Sequence, residues 1–210
     1  MDSVVTVPQS HFILSSMKYL FVDCETTGLN PKEHEIISIC MITYDGGKCI
    51  DRWAALIHPQ NIEAADPKAL EINGYCKASW SGAWQMEDAI QIIAQKMRQK
   101  DMCFVGYNPG FDMSFIRVAL EQYGYHLKRL RMIDVMTLVN EHLIPLGLHS
   151  MSLDNTRRFL GMPLANNHTA LQDTLDTIYI YNLLSRSTIW QRLWWRFKYH
   201  LRVYLSSDRL

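Results

Sequence analysis

The chain has 210 residues, of which 48% are hydrophobic and 20% are charged, and its formal net charge is +0. This composition is typical of a globular protein and excludes a disordered chain, while the length predicts one domain with extensions. No apolar run approaches the roughly 18 residues of a membrane-spanning helix, and residues 1–16 lack the basic start of a signal peptide.

In chain order, the hydrophobic patterning predicts three strands and then an alternation of helices and strands. The predicted strands are residues 17–23, 35–44, 49–57, 102–107 and 131–133. The predicted helices are residues 67–72, 86–99, 111–123, 134–142, 151–160 and 168–184. A three-stranded meander followed by alternating elements predicts an α/β fold, with a mixed sheet flanked by helices.

Acidic side chains recur where predicted elements begin or end. Asp23 and Glu25 project from one face of the first strand, since residues two apart in a strand share a face. Asp112 lies in the first turn of a helix, and His168 and Asp173 bracket the start of another. Converging carboxylates would form an oxygen-rich site of the kind that suits Mg²⁺ or Mn²⁺.

Each of these features also has an ordinary structural explanation. The acidic pair could be solvated at a strand exit, and Asp112 could simply interact with the helix dipole. His168 could cap the helix that follows it. After the acidic pair comes a turn in which Gly28 would let the backbone approach a ligand closely.

Three segments, FVDCETTGL, GYNPGFD and HTALQD, resemble in order and spacing the motifs of the DEDDh, or DnaQ-like, 3′–5′ exonucleases. The resemblance covers residues 18–184 and continues through ADPKALEING and MIDVMTL. Departures are small: Tyr107 stands where many members have His, and Cys24 where a β-branched residue is common. The resemblance implies a ribonuclease H-like fold with a central five-stranded sheet.

The resemblance also implies the residues of the site. Two Mg²⁺ or Mn²⁺ ions would be held by Asp23, Glu25, Asp112 and Asp173, with Asp23 shared between them. His168 would accept the proton of the attacking water, which suits a side chain that titrates near neutral pH. The product would be a nucleoside 5′-monophosphate.

The predicted substrate-binding residues follow from the same motifs. They are the turn after the acidic pair and two residues of the second motif: Thr26, Thr27, Gly28, Leu29, Tyr107 and Asn108. Leu29 either lies against a terminal base or is a partly buried core residue. The neutral charge favours single-stranded or short 3′ ends over long duplexes. Whether the substrate is DNA or RNA stays open.

The C-terminal segment, residues 186–210, carries six basic residues and one acidic residue, whereas the rest of the chain carries 15 basic and 20 acidic ones. It is predicted to be a basic amphipathic helix with an aromatic stripe formed by Trp190, Leu193, Trp194, Phe197, Leu201 and Tyr204. The stripe could dock on the domain itself, on a sister subunit or on a polymerase or repair partner. It could also clamp nucleic acid or lie on a membrane surface, although we expect no membrane role.

The sequence therefore predicts an N-terminal extension over 1–16, an exonuclease domain over 17–185 and a C-terminal helix over 186–210. Five cysteines without CxxC spacing favour reduced thiols and a cytoplasmic location. The rival functions are a catalytically inactive nucleic-acid-binding or polymerase-associated module of the same fold, and a membrane-associated adaptor. The complete set of four carboxylates and one histidine favours the enzyme.

Overall fold

A computed structural model of the chain describes residues 17–164, 168–188, 190–191 and 193–199. The predicted extension over residues 1–16 lies outside this range. The five strands are β1 (Lys18–Thr26), β2 (Ile36–Asp45), β3 (Lys48–Leu56), β4 (Met102–Gly106) and β5 (Arg131–Asp134). They form one sheet in the order β3-β2-β1-β4-β5. β1 is antiparallel to β2 and parallel to β4, and β5 is parallel to β4, so the predicted mixed five-stranded sheet is confirmed.

Between residues 67 and 184, six α-helices flank this sheet. They are α1 (Pro67–Ile72), α2 (Met86–Met97), α3 (Pro109–Gln122), α4 (Val135–His142), α5 (Leu153–Leu160) and α6 (Ala170–Leu184). The core on one face of the sheet is formed with α2 and α3, and the core on the other with α4, α5 and α6. Strand β1 is central, so its apolar run is buried on both faces, with Leu20 and Val22 in the first core and Tyr19 and Phe21 in the second.

The observed boundaries differ from the predicted ones mainly around the candidate site. β1 continues three residues beyond the predicted end, because Glu25 pairs with Ser38 and Thr26 with Ile36 across a register shift. α6 begins at Ala170 and not at residue 168, because Thr169 is its N-cap and accepts a hydrogen bond from the Gln172 backbone N–H. The extension of β1 keeps both members of the acidic pair within the sheet.

Residues 190–191 and 193–199 of the C-terminal segment are helical. Trp195 and Tyr199 pack on the domain, and the Tyr199 ring lies 4.6 Å from that of Phe159. The described members of the predicted stripe are instead exposed: Trp190 (77%), Leu193 (41%), Trp194 (54%) and Phe197 (59%). The helix therefore packs on the domain through Trp195 and Tyr199, which are four residues apart, and not through the described residues of the stripe. The other two stripe residues, Leu201 and Tyr204, lie outside the described residues.

None of the described helices is both long and apolar enough to cross a membrane. All five cysteines are free thiols, three of them buried and two exposed.

Candidate active site

The first carboxylate pair lies near the carboxyl end of β1, where α/β sheets commonly place ligands. Asp23 and Glu25 are half-buried, and their side chains share one face of the strand. Carboxylate oxygens of Asp23, Glu25 and Asp173 all lie within 4.8 Å of one another. The strand thus supplies two acidic groups to a cluster that α6 completes.

Asp112 reaches the same strand from α3. This helix begins at Pro109, and its N-cap Asn108 adopts a left-handed conformation (φ 63°), which asparagine tolerates better than most residues. Asp112 is 3% exposed, and its Oδ1 accepts a 2.9 Å hydrogen bond from the backbone N–H of Cys24. Since Cys24 lies between Asp23 and Glu25, this bond fixes the fourth carboxylate beside the pair.

His168 lies just before α6 and faces the first turn of that helix. Its Nδ1 is 3.0 Å from Oδ2 of Asp173, and its Nε2 is 3.7 Å from Oδ2 of Asp154. Thr169, not His168, caps the helix. The ring is about one-third exposed. The histidine is therefore tied to a carboxylate of the cluster while it remains accessible.

Arg157 is the main site residue that the sequence analysis missed. It projects from α5, is fully buried, and donates hydrogen bonds to three carboxylates: Asp154 (2.9 Å), Asp173 (2.5 Å) and Asp176 (2.7 Å). Arginine and lysine are almost never fully buried without such partners. Arg157 follows Leu153 by four residues, which places both side chains on one face of α5, and this spacing is the signal in the sequence that could have pointed to it.

The acidic groups strongly influence one another. Burial, and then the negative charges of Asp112, Asp173 and Glu25, raise the pKa of Asp23 well above its usual range. Burial also raises the pKa of Glu25 to about 7 and that of Asp112 to about 7. Partial burial would lower the pKa of His168, but its hydrogen bond and the charge of Asp173 raise it overall.

Such a cluster is suited to a divalent cation. Two or more carboxylates that repel one another lose this repulsion when a cation lies between them, and the three clustered donors are all hard oxygens. This chemistry fits Mg²⁺ or Mn²⁺. Cys24 is not a competing soft ligand, because burial and the nearby acids raise the pKa of its thiol well above normal.

The turn that follows β1 is fixed by its own hydrogen bonds. Thr26 Oγ1 donates to the carbonyl of Gly28 (2.7 Å), and Thr27 Oγ1 accepts from the backbone N–H of Glu35 (2.9 Å). Both threonines are buried, so their hydroxyls are less available to a substrate than the sequence suggested. Leu29 is 78% exposed, which excludes the alternative of a partly buried core residue.

Helix α1 supports this turn from behind. The backbone N–H of Asp66 donates to the carbonyl of Thr27 (2.7 Å), and Asn73 Nδ2 donates to the carbonyl of Thr26 (2.8 Å). The His34 ring covers Gly28 so closely that a Cβ there would lie 2.4 Å from it. Any larger residue at this position would therefore have to displace the His34 ring, although the φ of Gly28 is not positive.

The two candidate residues of the second motif have structural partners. The Tyr107 hydroxyl bonds to the Met151 carbonyl (2.7 Å) and to Thr156 Oγ1 (2.8 Å), so it holds α5 and is not free to contact a substrate. The role of Tyr107 in substrate binding stays a prediction. Asn108 is exposed, and its backbone N–H donates to Asp134 Oδ1 (3.1 Å).

The fold and the cluster together define a class of protein: an α/β domain of ribonuclease H-like type with acidic residues gathered at the carboxyl end of its central strand. The sequence profile of the Exonuclease family (RNase_T) matches residues 20–181. The chain therefore belongs to this family. The resemblance to DEDDh, or DnaQ-like, exonucleases is confirmed, as is the prediction that the chain carries an exonuclease domain.

Curated relatives are polymerases of the PolC type. DNA polymerase III of Bacillus cereus is 26% identical over 172 residues, and that of Thermotoga maritima is 29% identical over 164 residues. These alignments cover 82% and 78% of this chain but only 12% and 11% of the polymerases. The chain thus spans about a tenth of the length of these relatives.

Solved structures of Exonuclease I share the fold. The E. coli enzyme, solved in complex with a dT13 oligonucleotide, has a TM-score of 0.72 and 20% identity, covering 81% of this chain and 41% of that one. Exonuclease I of Methylocaldum szegediense has a TM-score of 0.67 and 20% identity, covering 81% and 41%. The chain spans less than half of each.

Proposed function

We propose that the protein is a metal-dependent 3′–5′ exonuclease that releases nucleoside 5′-monophosphates from the ends of single-stranded nucleic acid. One observation carries this proposal: carboxylate oxygens of Asp23, Glu25 and Asp173 lie within 4.8 Å of one another. Asp112 is held beside them by the hydrogen bond from the backbone N–H of Cys24. Membership of the Exonuclease family supports the same reaction.

Two Mg²⁺ or Mn²⁺ ions, when bound, would stabilise negative charge on the phosphate and on the leaving 3′-oxygen. In this proposal Asp23, Glu25 and Asp173, whose oxygens lie within 4.8 Å of one another, would hold the ions. Asp112 would support the site from α3, where the hydrogen bond from the Cys24 backbone N–H fixes its Oδ1. Arg157 holds Asp173 in place and offsets part of the negative charge of the cluster.

His168 is the proposed general base. The hydrogen bond between its Nδ1 and Asp173 orients the ring and leaves Nε2 as the nitrogen that can accept a proton from water. A carboxylate behind the ring also stabilises the protonated form, and the pKa of His168 is correspondingly raised. Because Thr169 supplies the helix cap, a capping role does not account for His168.

The turn after β1 is proposed to hold the terminal nucleotide. Its backbone is fixed by α1 and by Glu35, and it ends in the exposed side chain of Leu29 beside the acidic cluster. We propose that Leu29 packs against the terminal base. Asn108, at the exposed start of α3, is the second proposed contact, whereas Tyr107 contributes by fixing α5.

Substrate, partners and location are also proposals. Exonuclease I has been solved with single-stranded oligonucleotides, which supports a single-stranded substrate here, and the PolC-type relatives support a polymerase partner. A homodimer through the C-terminal helix is a further proposal, consistent with its exposed aromatic stripe. The division into an extension, a domain and a C-terminal helix stays a prediction, as does the cytoplasmic location that the free thiols favour.

The experiment that tests this function is digestion of a substrate panel. Labelled single-stranded DNA, duplex DNA, RNA and dinucleotides are incubated with the protein in Mg²⁺, Mn²⁺, Ca²⁺ or EDTA. We expect mononucleotides in Mg²⁺ and Mn²⁺, little turnover in Ca²⁺ and none in EDTA, because Ca²⁺ adopts a looser geometry. Cleavage in EDTA, or internal cuts in a circular strand, would contradict the proposal.

A further inference from the structure

Two adjoining clefts lie on the β5 side of the domain, away from the acidic cluster. The larger, of about 840 Å³, lies between residues 97–102 and residues 126–131, where β4 and β5 begin. The smaller, of about 400 Å³, lies between α3 and the start of β5. Arg129 and Leu130 line both clefts, so the two clefts adjoin at these residues, and we call the pair the depression.

This depression is strongly basic. We call its six Lys and Arg side chains the basic track: Arg98, Lys100, Arg117, Lys128, Arg129 and Arg131. They are six of the 15 Lys and Arg residues that precede Arg186, in a part of the chain with 20 acidic residues. Asp101 is the one acidic residue that lines either cleft within the described part of the chain.

The cations of the track lack acidic partners. Within the described ranges, none of the six side chains has a carboxylate oxygen within 4.0 Å, whereas Arg157 has three. Arg98 lies over the Tyr125 ring, 5.1 Å from its centre, which holds the guanidinium at the cleft. Uncompensated like charges gathered around one depression repel one another, and a polyanion would relieve this repulsion.

The track leads towards the candidate active site along α3. Met113, which lines the smaller cleft, directly follows Asp112. Arg117 is five residues beyond Asp112, which is about 7.5 Å along a helix axis. The larger cleft lies at the amino ends of β4 and β5, so the cations extend from the middle of α3 to the end of the sheet opposite the acidic cluster.

We infer that the basic track binds the phosphate backbone of a single-stranded nucleic acid, on the 5′ side of the end held at the carboxylates. Grooves that carry single strands combine aromatic rings with cations that follow the phosphate backbone, and the six cations of the track match the second of these features. The inference rests on the proposed function for the direction of the strand. It predicts that substrates long enough to reach the track bind more tightly than dinucleotides.

The first test measures binding without cleavage. Fluorescently labelled 12-nucleotide oligothymidylate and a labelled dinucleotide are titrated with protein in EDTA at several salt concentrations. The track variant is Lys128→Gln/Arg131→Gln. The matched control is Lys48→Gln/Arg52→Gln, which removes one exposed Lys and one exposed Arg from β3, at the opposite edge of the sheet.

In the track variant, the loss of two phosphate contacts should reduce the steepness of the plot of log affinity against log salt by about 1.4. Its affinity for the 12-mer should fall by about 10- to 30-fold near 0.1 M salt. The control should stay within about threefold of wild type. Equal effects in the two variants, or no effect in either, would overturn the inference. An equal fall for a 12-residue oligoglutamate would overturn the assignment to nucleic acid.

The second test separates this inference from the proposed function. In Mg²⁺, the ratio of kcat/KM for the 12-mer to kcat/KM for the dinucleotide should fall about 10-fold or more in the track variant and not in the control. If wild type cleaves both substrates and this ratio does not change in the track variant, the inference that the basic track binds nucleic acid is wrong, whereas the proposed exonuclease function is retained. If wild type cleaves neither, the proposed function fails, and the titration in EDTA still decides whether the track binds.

Discussion

The Nη2 of Arg157 donates a 2.5 Å hydrogen bond to Oδ1 of Asp173, while Nδ1 of His168 lies 3.0 Å from the other oxygen of the same carboxylate. Both oxygens of Asp173 are therefore fixed by protein groups. The aspartate is oriented by α5 and by the segment before α6, so its position in the cluster does not depend on a bound ion.

We expect Arg157→Met to destabilise the protein by about 3–5 kcal/mol, because it leaves the buried carboxylates of Asp173 and Asp176 without their cation. The side chain of the adjacent Arg158 is exposed and, within the described part of the chain, bonds to Asn155 and to no carboxylate, so Arg158→Met should cost less than about 1 kcal/mol. Urea denaturation in EDTA measures both. If the two variants were equally stable, the buried hydrogen bonds of Arg157 would contribute no more to the free energy of unfolding than the exposed one of Arg158.

Much of the site follows from the sequence because its residues occupy ends of regular elements. The apolar run before Asp23 and the turn before Asp112 place both residues without knowledge of the tertiary structure. Arg157 could not be placed in this way. On a helical wheel an arginine is expected to be solvated, and only the packing of α5 on α6 buries it between Asp173 and Asp176.

The C-terminal segment shows the same limit. The stripe through Trp190, Trp194 and Phe197 has the helical period that predicts a buried face, yet these side chains are exposed. Trp195 and Tyr199 also lie at helical spacing and pack on the domain instead. Periodicity identifies an apolar face, but only the shape of the domain around Phe159 determines which face docks.

The stability of the metal-free protein should fall as the pH rises from about 4 to about 7. The pKa of Glu25 rises from 4.5 to about 7 on folding and that of Asp112 from 3.8 to about 7, so the folded state binds protons more tightly than the unfolded state in this range. The contribution of these two groups to the free energy of unfolding is therefore greatest below about pH 4 and is lost as the pH rises to about 7.

Mg²⁺ binds the deprotonated carboxylates and should raise the melting temperature more at pH 8 than at pH 5. Differential scanning fluorimetry in EDTA and in Mg²⁺ measures the difference, and Asp23→Asn, which lacks one ligand, provides the control with a much smaller shift. The same Mg²⁺-induced shift at both pH values would be inconsistent with an acidic site of this kind.

His168→Ala should lower kcat by about 10²- to 10⁴-fold, because it removes the group that accepts the proton from water. Its Mg²⁺-induced thermal shift should persist, since all four carboxylates remain. Thr169→Ala is the matched control: it removes the helix cap and should cost about 0.5–2 kcal/mol of stability with a much smaller effect on kcat. If Thr169→Ala lowered kcat as much as His168→Ala, the general-base role would be lost.

Gly28→Ala should destabilise the turn after β1 by about 1 kcal/mol, because the new Cβ would displace the His34 ring, whose Nδ1 accepts a hydrogen bond from the Asn30 backbone N–H. The double variant Gly28→Ala/His34→Ala should recover part of this loss, since it removes the ring. A double-mutant cycle from denaturation curves gives the coupling between the two positions. Additive effects would mean that the close packing of these residues is unimportant.

The central claim is a carboxylate site that removes nucleotides from 3′ ends, and one time course tests it most directly. A single-stranded oligonucleotide labelled at its 3′-terminal nucleotide is incubated in Mg²⁺ with wild type and with Asp23→Asn, which lacks one carboxylate of the acidic cluster. We expect immediate release of the label as a 5′-mononucleotide by wild type, and a rate reduced by several orders of magnitude in Asp23→Asn. Label released first in longer fragments, or at similar rates by both proteins, would contradict it.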